Sequence, residues 1–336
     1  MITNDWQAFL IQAGAHFTES GACFFQTLEQ EAQATQGNCL TDLSQLGLIA
    51  VQGPDAEKFL QGQLTCDVSE VSEQQTRLAA HCNPKGRIIS TFRLLRLADT
   101  YYLQLPSSML EIALAHLRKY AIFSKVNLRN ASNDFIKIGF TGIAKLINGL
   151  PDTVDSATLY KDGLIFRLPG VTPRYEAMAH YDSIKTLWQQ LAIDSQPIGH
   201  NAWDLLDIMA GIPSVYPETS ELFTPHQLNY QLINGIHFKK GCYTGQEVIA
   251  RMHYLGKLKQ HMYRAAILSN QAPKPGEAIF MNKDGELQQV GEVVISARTV
   301  DGYQLLTTVQ DKGLQYPLQF NNICLTLLDL PYLSAS

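Results

Sequence analysis

At Leu255 the sequence changes character. Upstream, helical and strand-like patterns alternate. Downstream, helical signals stop, and strand-like runs broken by Pro275-Gly276, Lys283-Asp284-Gly285 and Asp301-Gly302 continue almost to the end. A tail of that kind has to pair its own strands, so a small all-β barrel or sandwich is expected over 255–336. With 336 residues, 46% hydrophobic and 17% charged, the chain has material for two or three globular domains, which excludes a disordered or fibrous protein.

Gly53 and Pro54 set up a helix start, and Ala56, Phe59, Leu60 and Leu64 fall on one helical face, so a helix is predicted over 54–64. From Thr76 the period changes. An apolar run, the turn Asn83-Pro84-Lys85-Gly86 and the run Ile88 to Leu97 predict a hairpin carrying Arg77, Lys85, Arg87, Arg93 and Arg96. A strand at Tyr101 to Leu105, a helix opening at Ser107, and strands near 125–129 and 135–140 follow. The middle third repeats the mixture, with a turn at Lys161-Asp162-Gly163, a strand at Tyr175 to Ala179 and a helix opening at Asp182 or Ser183. The division is then a first α/β unit over 1–130, a second over 131–254, and the β tail.

The net charge of −5 conceals a gradient. Residues 1–73 carry ten acidic side chains against one basic, whereas 74–133 carry nine basic against two acidic. A second cationic stretch, 239–264, sets Lys239, Lys240, Arg251, Lys257, Lys259 and Arg264 against Glu247 alone. The first twenty-five residues lack Lys and Arg, and no apolar run approaches membrane-spanning length, so a cytoplasmic, non-membrane protein is expected. Six scattered cysteines without a CxxC pair give no disulfide framework and no zinc signature, and no metal site is expected.

The densest chemistry lies in FKKGCYTGQEVIAR, residues 238–251. Thr244 followed by Glu247 has the spacing of a capping box, which predicts a helix from about Gly245 with Val248, Ile249 and Met252 on its apolar stripe. Cys242 then sits before the positive end of that helix, with Lys239 and Lys240 on its other side, and both features favour a thiolate. Gly241 and Gly245 allow positive φ or close approach of a ligand. The alternative is a glycine-rich connector holding a small core cysteine.

KKGCYTGQE at 239–247 resembles the signature K-G-C-[YF]-x-G-Q-E of the YgfZ family, relatives of the glycine-cleavage T-protein that act in iron–sulfur protein maintenance. GPDAEKFLQGQLTCDV at 53–68, HCNPKGRI at 81–88, KYAIFSKV at 119–126 and AWDLLDIMAGIP at 202–213 match in order, so the resemblance covers nearly the whole chain. It implies an α+β fold of two related α/β subdomains plus a C-terminal antiparallel β-barrel around a central folate-binding hole. The implied cofactor is tetrahydrofolate or another folate. The implied site has Cys242 as the essential thiol with Lys240, and Trp203, Leu46, Glu176, Arg87, Tyr243 and Gln246 as folate-binding residues. Trp203 also reads as core, because it opens a helix with Leu206 and Ala210. Leu46 stands where bacterial YgfZ proteins carry tryptophan, and Met209 where the family usually has glutamate.

T-proteins place an acidic pair at the positions of Ser90 and Thr91, and neither hydroxyl titrates near neutral pH, so aminomethyl transfer is disfavoured. The resemblance implies a folate-binding factor that supports iron–sulfur assembly or repair and, through iron–sulfur enzymes, tRNA modification. The expected partners are those enzymes, with an indirect tRNA link and a monomeric chain. The alternatives are a divergent one-carbon transferase and a tRNA-binding accessory protein. The acidic total and the lack of aromatic interleaving count against direct nucleic-acid binding.

Overall fold

The computed structural model describes residues 2–142, 147–256 and 258–333. Its helices are α1 (Ile2–Gln12), α2 (Leu28–Ala34), α3 (Ala56–Gln61), α4 (Leu110–Ala121), α5 (Tyr181–Leu191), α6 (His200–Ala210) and α7 (Gln246–Leu255). None of the described helices is long and apolar enough to cross a membrane.

Two sheets dominate the first three quarters. The five-stranded sheet runs Arg77–Cys82, Ile88–Leu97, Thr100–Pro106, Leu46–Gln52, Asn127–Asn130, and every pair is antiparallel. The six-stranded sheet runs Ala157–Tyr160, Gly163–Leu168, Arg174–Ala179, Ile136–Thr141, Cys39–Asp42, Gln196–Ile198, with only the last pair parallel. Strand alternation decides how they stack. Leu48 and Ala50 join a core shared with Leu164, Phe166 and Met178 of the other sheet, while Ile49 and Val51 face outward onto α3 and α4. In the six-stranded sheet Ile136, Ile138 and Phe140 point the other way, onto α1 and α5. Each sheet therefore has a helical cover, and an apolar layer lies between the two.

Sheet membership does not follow the chain-order division at residue 130. Cys39–Asp42 belongs to the six-stranded sheet, and Trp6 of α1 donates its indole N–H to Asp42 at 2.8 Å, packing with Trp188 of α5. The predicted helix 54–64 stops at Gln61, where Gly62 caps it and the chain turns to donate Thr65 N–H to Ala80. The helix expected at Ser107 begins there as a single 3-10 turn before α4. Residues 260–328 close a six-stranded antiparallel barrel, with Gln260–Ile267 paired to both Gly302–Gln310 and Ile323–Leu328. Its longest strand, Glu286–Thr299, serves two partners through a register shift between Val293 and Ile295.

Trp203 fixes the spacing of the inter-sheet layer. It is 1% exposed, and its ring lies over Gly139, where an added Cβ would come within 2.6 Å of two ring carbons. Gly139→Ala is expected to lower stability by about 1–3 kcal/mol through overpacking. In urea denaturation the combined Gly139→Ala/Trp203→Leu variant should lose clearly less than the sum of the two single changes.

Candidate functional site

At one edge of the inter-sheet layer the lining turns polar. A narrow cavity of about 70 Å³ is bounded by Leu46, Gln104, Thr91 and Arg93 of the five-stranded sheet, Arg174 and Glu176 of the six-stranded sheet, and Asp207 of α6. Arg174 and Glu176 are two residues apart on one strand, so both point inward. Arg174 Nη2 donates to Asp207 at 2.6 Å and its guanidinium lies 5.0 Å over Trp203, while its buried Nη1 has no partner among the described residues. Gln104 Nε2 donates to Glu176 at 2.5 Å, and the Gln104 amide oxygen is buried without a partner among the described residues. Burial pushes the Glu176 pKa up, against the Gln104 hydrogen bond and the charge of Arg93. Arg93 is held by Asp155 at 2.6 Å and by Thr76 at 3.0 Å. On α6, Asp204 is pushed up to about 8 by burial and by the charge of Asp207.

The predicted folate residues divide around this cavity. Leu46 and Glu176 line it. Trp203 does not; it is buried against Gly139, and the lining Arg174 lies over its ring. Of the two hydroxyls at the T-protein acid positions, Thr91 lines the cavity and accepts Val215 N–H at 3.1 Å, whereas Ser90 does not reach it. Met209 lies against the barrel instead, its carbonyl accepting from Arg264. Arg174 and Asp207 were missed from sequence, although an arginine two places before Glu176 in the strand 174–179 was a usable signal.

The cysteine motif forms a separate place. Cys242 is exposed, whereas Lys240 and Tyr243 on either side of it are buried. Lys240 turns away from the thiol and gives its three ammonium hydrogens to the carbonyls of Gln61 at 2.8 Å, Leu64 at 2.7 Å and Cys66 at 2.6 Å. Thr244 N–H adds a bond to the Gly62 carbonyl. Lys240 thus staples the motif to the turn after α3. Burial lowers its pKa to about 8, so the ammonium persists at neutral pH.

The expected capping box is absent. Gly245 caps α7 at φ 84° with no side-chain cap bond, because an added Cβ there would lie 2.6 Å from the Asn83 carbonyl and against Gly86. Gly86, at φ 71°, in turn faces Val248 and Ile249. The two motifs HCNPKGRI and KGCYTGQE are thus brought together by glycine-to-backbone contact. Gln246 opens α7 half-buried, and Arg87 is exposed, donating to the Leu222 carbonyl at 2.5 Å. None of Cys242, Lys240, Tyr243, Gln246 and Arg87 lines the inter-sheet cavity, so the structure holds two places where the sequence suggested one. Lys257 lies outside the described residues. Among the cysteines, burial raises Cys39 to about 11, Cys66 to about 12, and Cys23 and Cys82 higher still, while Cys242 and Cys324 are exposed. The chemistry open to the motif is attack by, or capture at, an accessible thiol on a rigid support.

Comparison with known proteins follows this geometry. Residues 7–144 match the family model described as the GCVT N-terminal domain. The tRNA-modifying protein YgfZ of Colwellia psychrerythraea is 34% identical over 75% of this chain and 77% of that protein. The protein of the same name from Cronobacter sakazakii is 34% identical over 87% of this chain and 90% of that one. Glycine cleavage system aminomethyltransferase T from Bartonella henselae superposes with a TM-score of 0.76 over 97% of this chain and 96% of that one at 20% identity, which shows a shared fold.

Replacing Lys240 by Met leaves three buried carbonyls without a donor and is expected to cost about 3 kcal/mol in urea denaturation. A second prediction concerns acid. Burial holds His81 at about 3 and His226 at about 4 against an ordinary 6.5, with His116 and His253 adding to it. Between those values the unfolded chain binds protons that the fold does not, so stability should fall as pH drops below 6.5. Urea midpoints at neutral pH and near pH 5 should show the loss, with a shallower slope in His81→Gln.

Proposed function

The chain belongs to the YgfZ family, and from that premise we propose that it binds a tetrahydrofolate at the inter-sheet cavity and uses the Cys242 thiol to support iron–sulfur enzymes, including those that modify tRNA. The observation that carries the folate half is the set of unspent polar atoms at the cavity. Arg174 Nη1 and the Gln104 amide oxygen are a donor and an acceptor left open, beside a Glu176 carboxyl whose pKa is raised. A pterin ring needs such a donor, acceptor and carboxyl together, and each buried atom left unsatisfied costs about 1–3 kcal/mol until a ligand meets it. Phe92 and Leu105 supply apolar wall.

The fit is partial in one respect. At about 70 Å³ the cavity is far below the roughly 300–1,000 Å³ of pockets that enclose ligands of this size, so the ring enters only as lining side chains move apart. Leu46, half-buried, lines both this cavity and a neighbouring one of about 70 Å³ around Asp42 and Lys137, and its displacement would join them. Thr91 at the cavity supplies no titrating group, which disfavours T-protein transfer chemistry.

The thiol half rests on the exposure of Cys242 and on its support by Lys240 and Tyr243. Folate binding and thiol function separate experimentally. Tetrahydrofolate should raise the melting temperature, equivalent to about 2.7 kcal/mol at a hundredfold excess over Kd, and Arg174→Met or Glu176→Gln should remove most of that rise. Cys242→Ala should keep the rise yet fail to restore tRNA modification in cells lacking the protein. No stabilisation of the wild type would refute the folate reading, and full restoration by Cys242→Ala would refute the thiol's role.

A further inference from the structure

Several cations of the two basic stretches are held by partners within the fold. Arg77 pairs with Glu70 at 2.8 Å and Arg93 with Asp155 at 2.6 Å, and Arg96 rests 5.3 Å over the Tyr101 ring. Lys85, Arg87 and Lys259 form no ion pair among the described residues, and all three line one cleft of about 570 Å³. The cleft lies where the hairpin turn, α7 and the first barrel strand meet, and it shares no residue with the inter-sheet cavity.

Its lining is chemically selective. Val248 and Met252 of α7 and Leu258 give an apolar strip, and Thr224, Gln227 and Gln310 give neutral polar groups. Among the described residues no carboxylate lines it. Acidic groups flank it without lining it: Asp311 donates its backbone N–H to the Lys259 carbonyl and its carboxylate lies 3.9 Å from His261, Glu247 precedes Val248 on α7, Glu292 accepts from Gln260, and Glu221 accepts from Asn83. Three like charges on one concave wall repel each other, and none of them is ion-paired among the described residues. The volume falls in the range of small-ligand pockets.

We propose that this cleft binds a phosphate ester carrying a flat heterocyclic ring, of the size of a nucleoside 5′-monophosphate. Lys85, Arg87 and Lys259 take the phosphate, and the ring lies on Val248 and Met252. Arg87 already gives one guanidinium hydrogen to Leu222, which fixes the head and leaves its other N–H groups for the anion. Because the turn that carries Lys85 touches Gly245, the bound phosphate bears on the same segment that displays Cys242. Cleft and cavity being separate, this inference does not depend on folate binding.

Isothermal titration of the full chain with AMP, GMP, CMP and UMP, their nucleosides and inorganic phosphate tests it. At least one monophosphate should bind, with its nucleoside at least tenfold weaker and inorganic phosphate weaker as well. Lys85→Ala/Lys259→Ala, which alters only exposed side chains and should leave the melting temperature unchanged, should weaken the monophosphate at least tenfold, while Lys85→Arg/Lys259→Arg should retain it. Met252→Ala should weaken the monophosphate without affecting inorganic phosphate. The proposal is overturned if none of the four binds, if affinity survives in the double alanine variant, or if inorganic phosphate binds as tightly as the nucleotide.

Discussion

Each central strand of both sheets must bury two faces, and the rest of the molecule follows from that demand. Alternation sends Leu48, Ala50, Phe166 and Met178 into the layer between the sheets, and their neighbours Ile49, Val51, Ile165 and Ala177 under helical covers. A layer built this way cannot admit polar side chains except at its edge, and they gather there. Arg93, Arg174, Glu176 and Gln104 are each buried and each held by at least one partner, which keeps their heads in fixed positions. Among the described residues the pairing of these four is incomplete at Arg174 Nη1 and the Gln104 amide oxygen, which give the cavity its chemical direction.

The cysteine motif answers a different need. A reactive thiol has to be reachable, and a reachable loop is ordinarily loose. Here the loop is anchored from beneath by Lys240 and Tyr243 and from the side by the Gly245–Asn83 approach, so Cys242 is displayed on stiff backbone. The arrangement ties the lysine of the signature to backbone carbonyls and leaves the Cys242 sulfur exposed.

The parts legible in sequence were those fixed by local rules. The hairpin at 77–97, the turn at Lys161-Asp162-Gly163 and the β tail depend on alternation and turn residues, and they form as expected. Leu46 and Glu176, two of the residues singled out by the family resemblance, line the inter-sheet cavity. The rest depended on contacts far along the chain. The acceptors of Lys240 lie 174 to 179 residues away and are backbone carbonyls, which leave no signature in residue type. The box Thr244–Glu247 had the right spacing, but Gly245 answered to Asn83 instead. Trp203 was readable as core or as ligand wall; its ring is buried over Gly139, a contact that residue type alone does not announce.

The order of strands in the six-stranded sheet bears on how the chain is made. Cys39–Asp42 lies between Ile136–Thr141 and Gln196–Ile198, so the whole five-stranded sheet, with strands from 46 to 130, is interposed in sequence between this strand and its neighbours. During synthesis the interposed sheet can assemble from contiguous chain, whereas α1 and Cys39–Asp42 must wait about a hundred residues for Ile136–Thr141 to emerge. For that interval an apolar helix bearing Trp6 and Leu10 has no surface to cover. The N-terminal forty residues are therefore the segment on which a chaperone would act, with completion of the six-stranded sheet expected as a late step of folding.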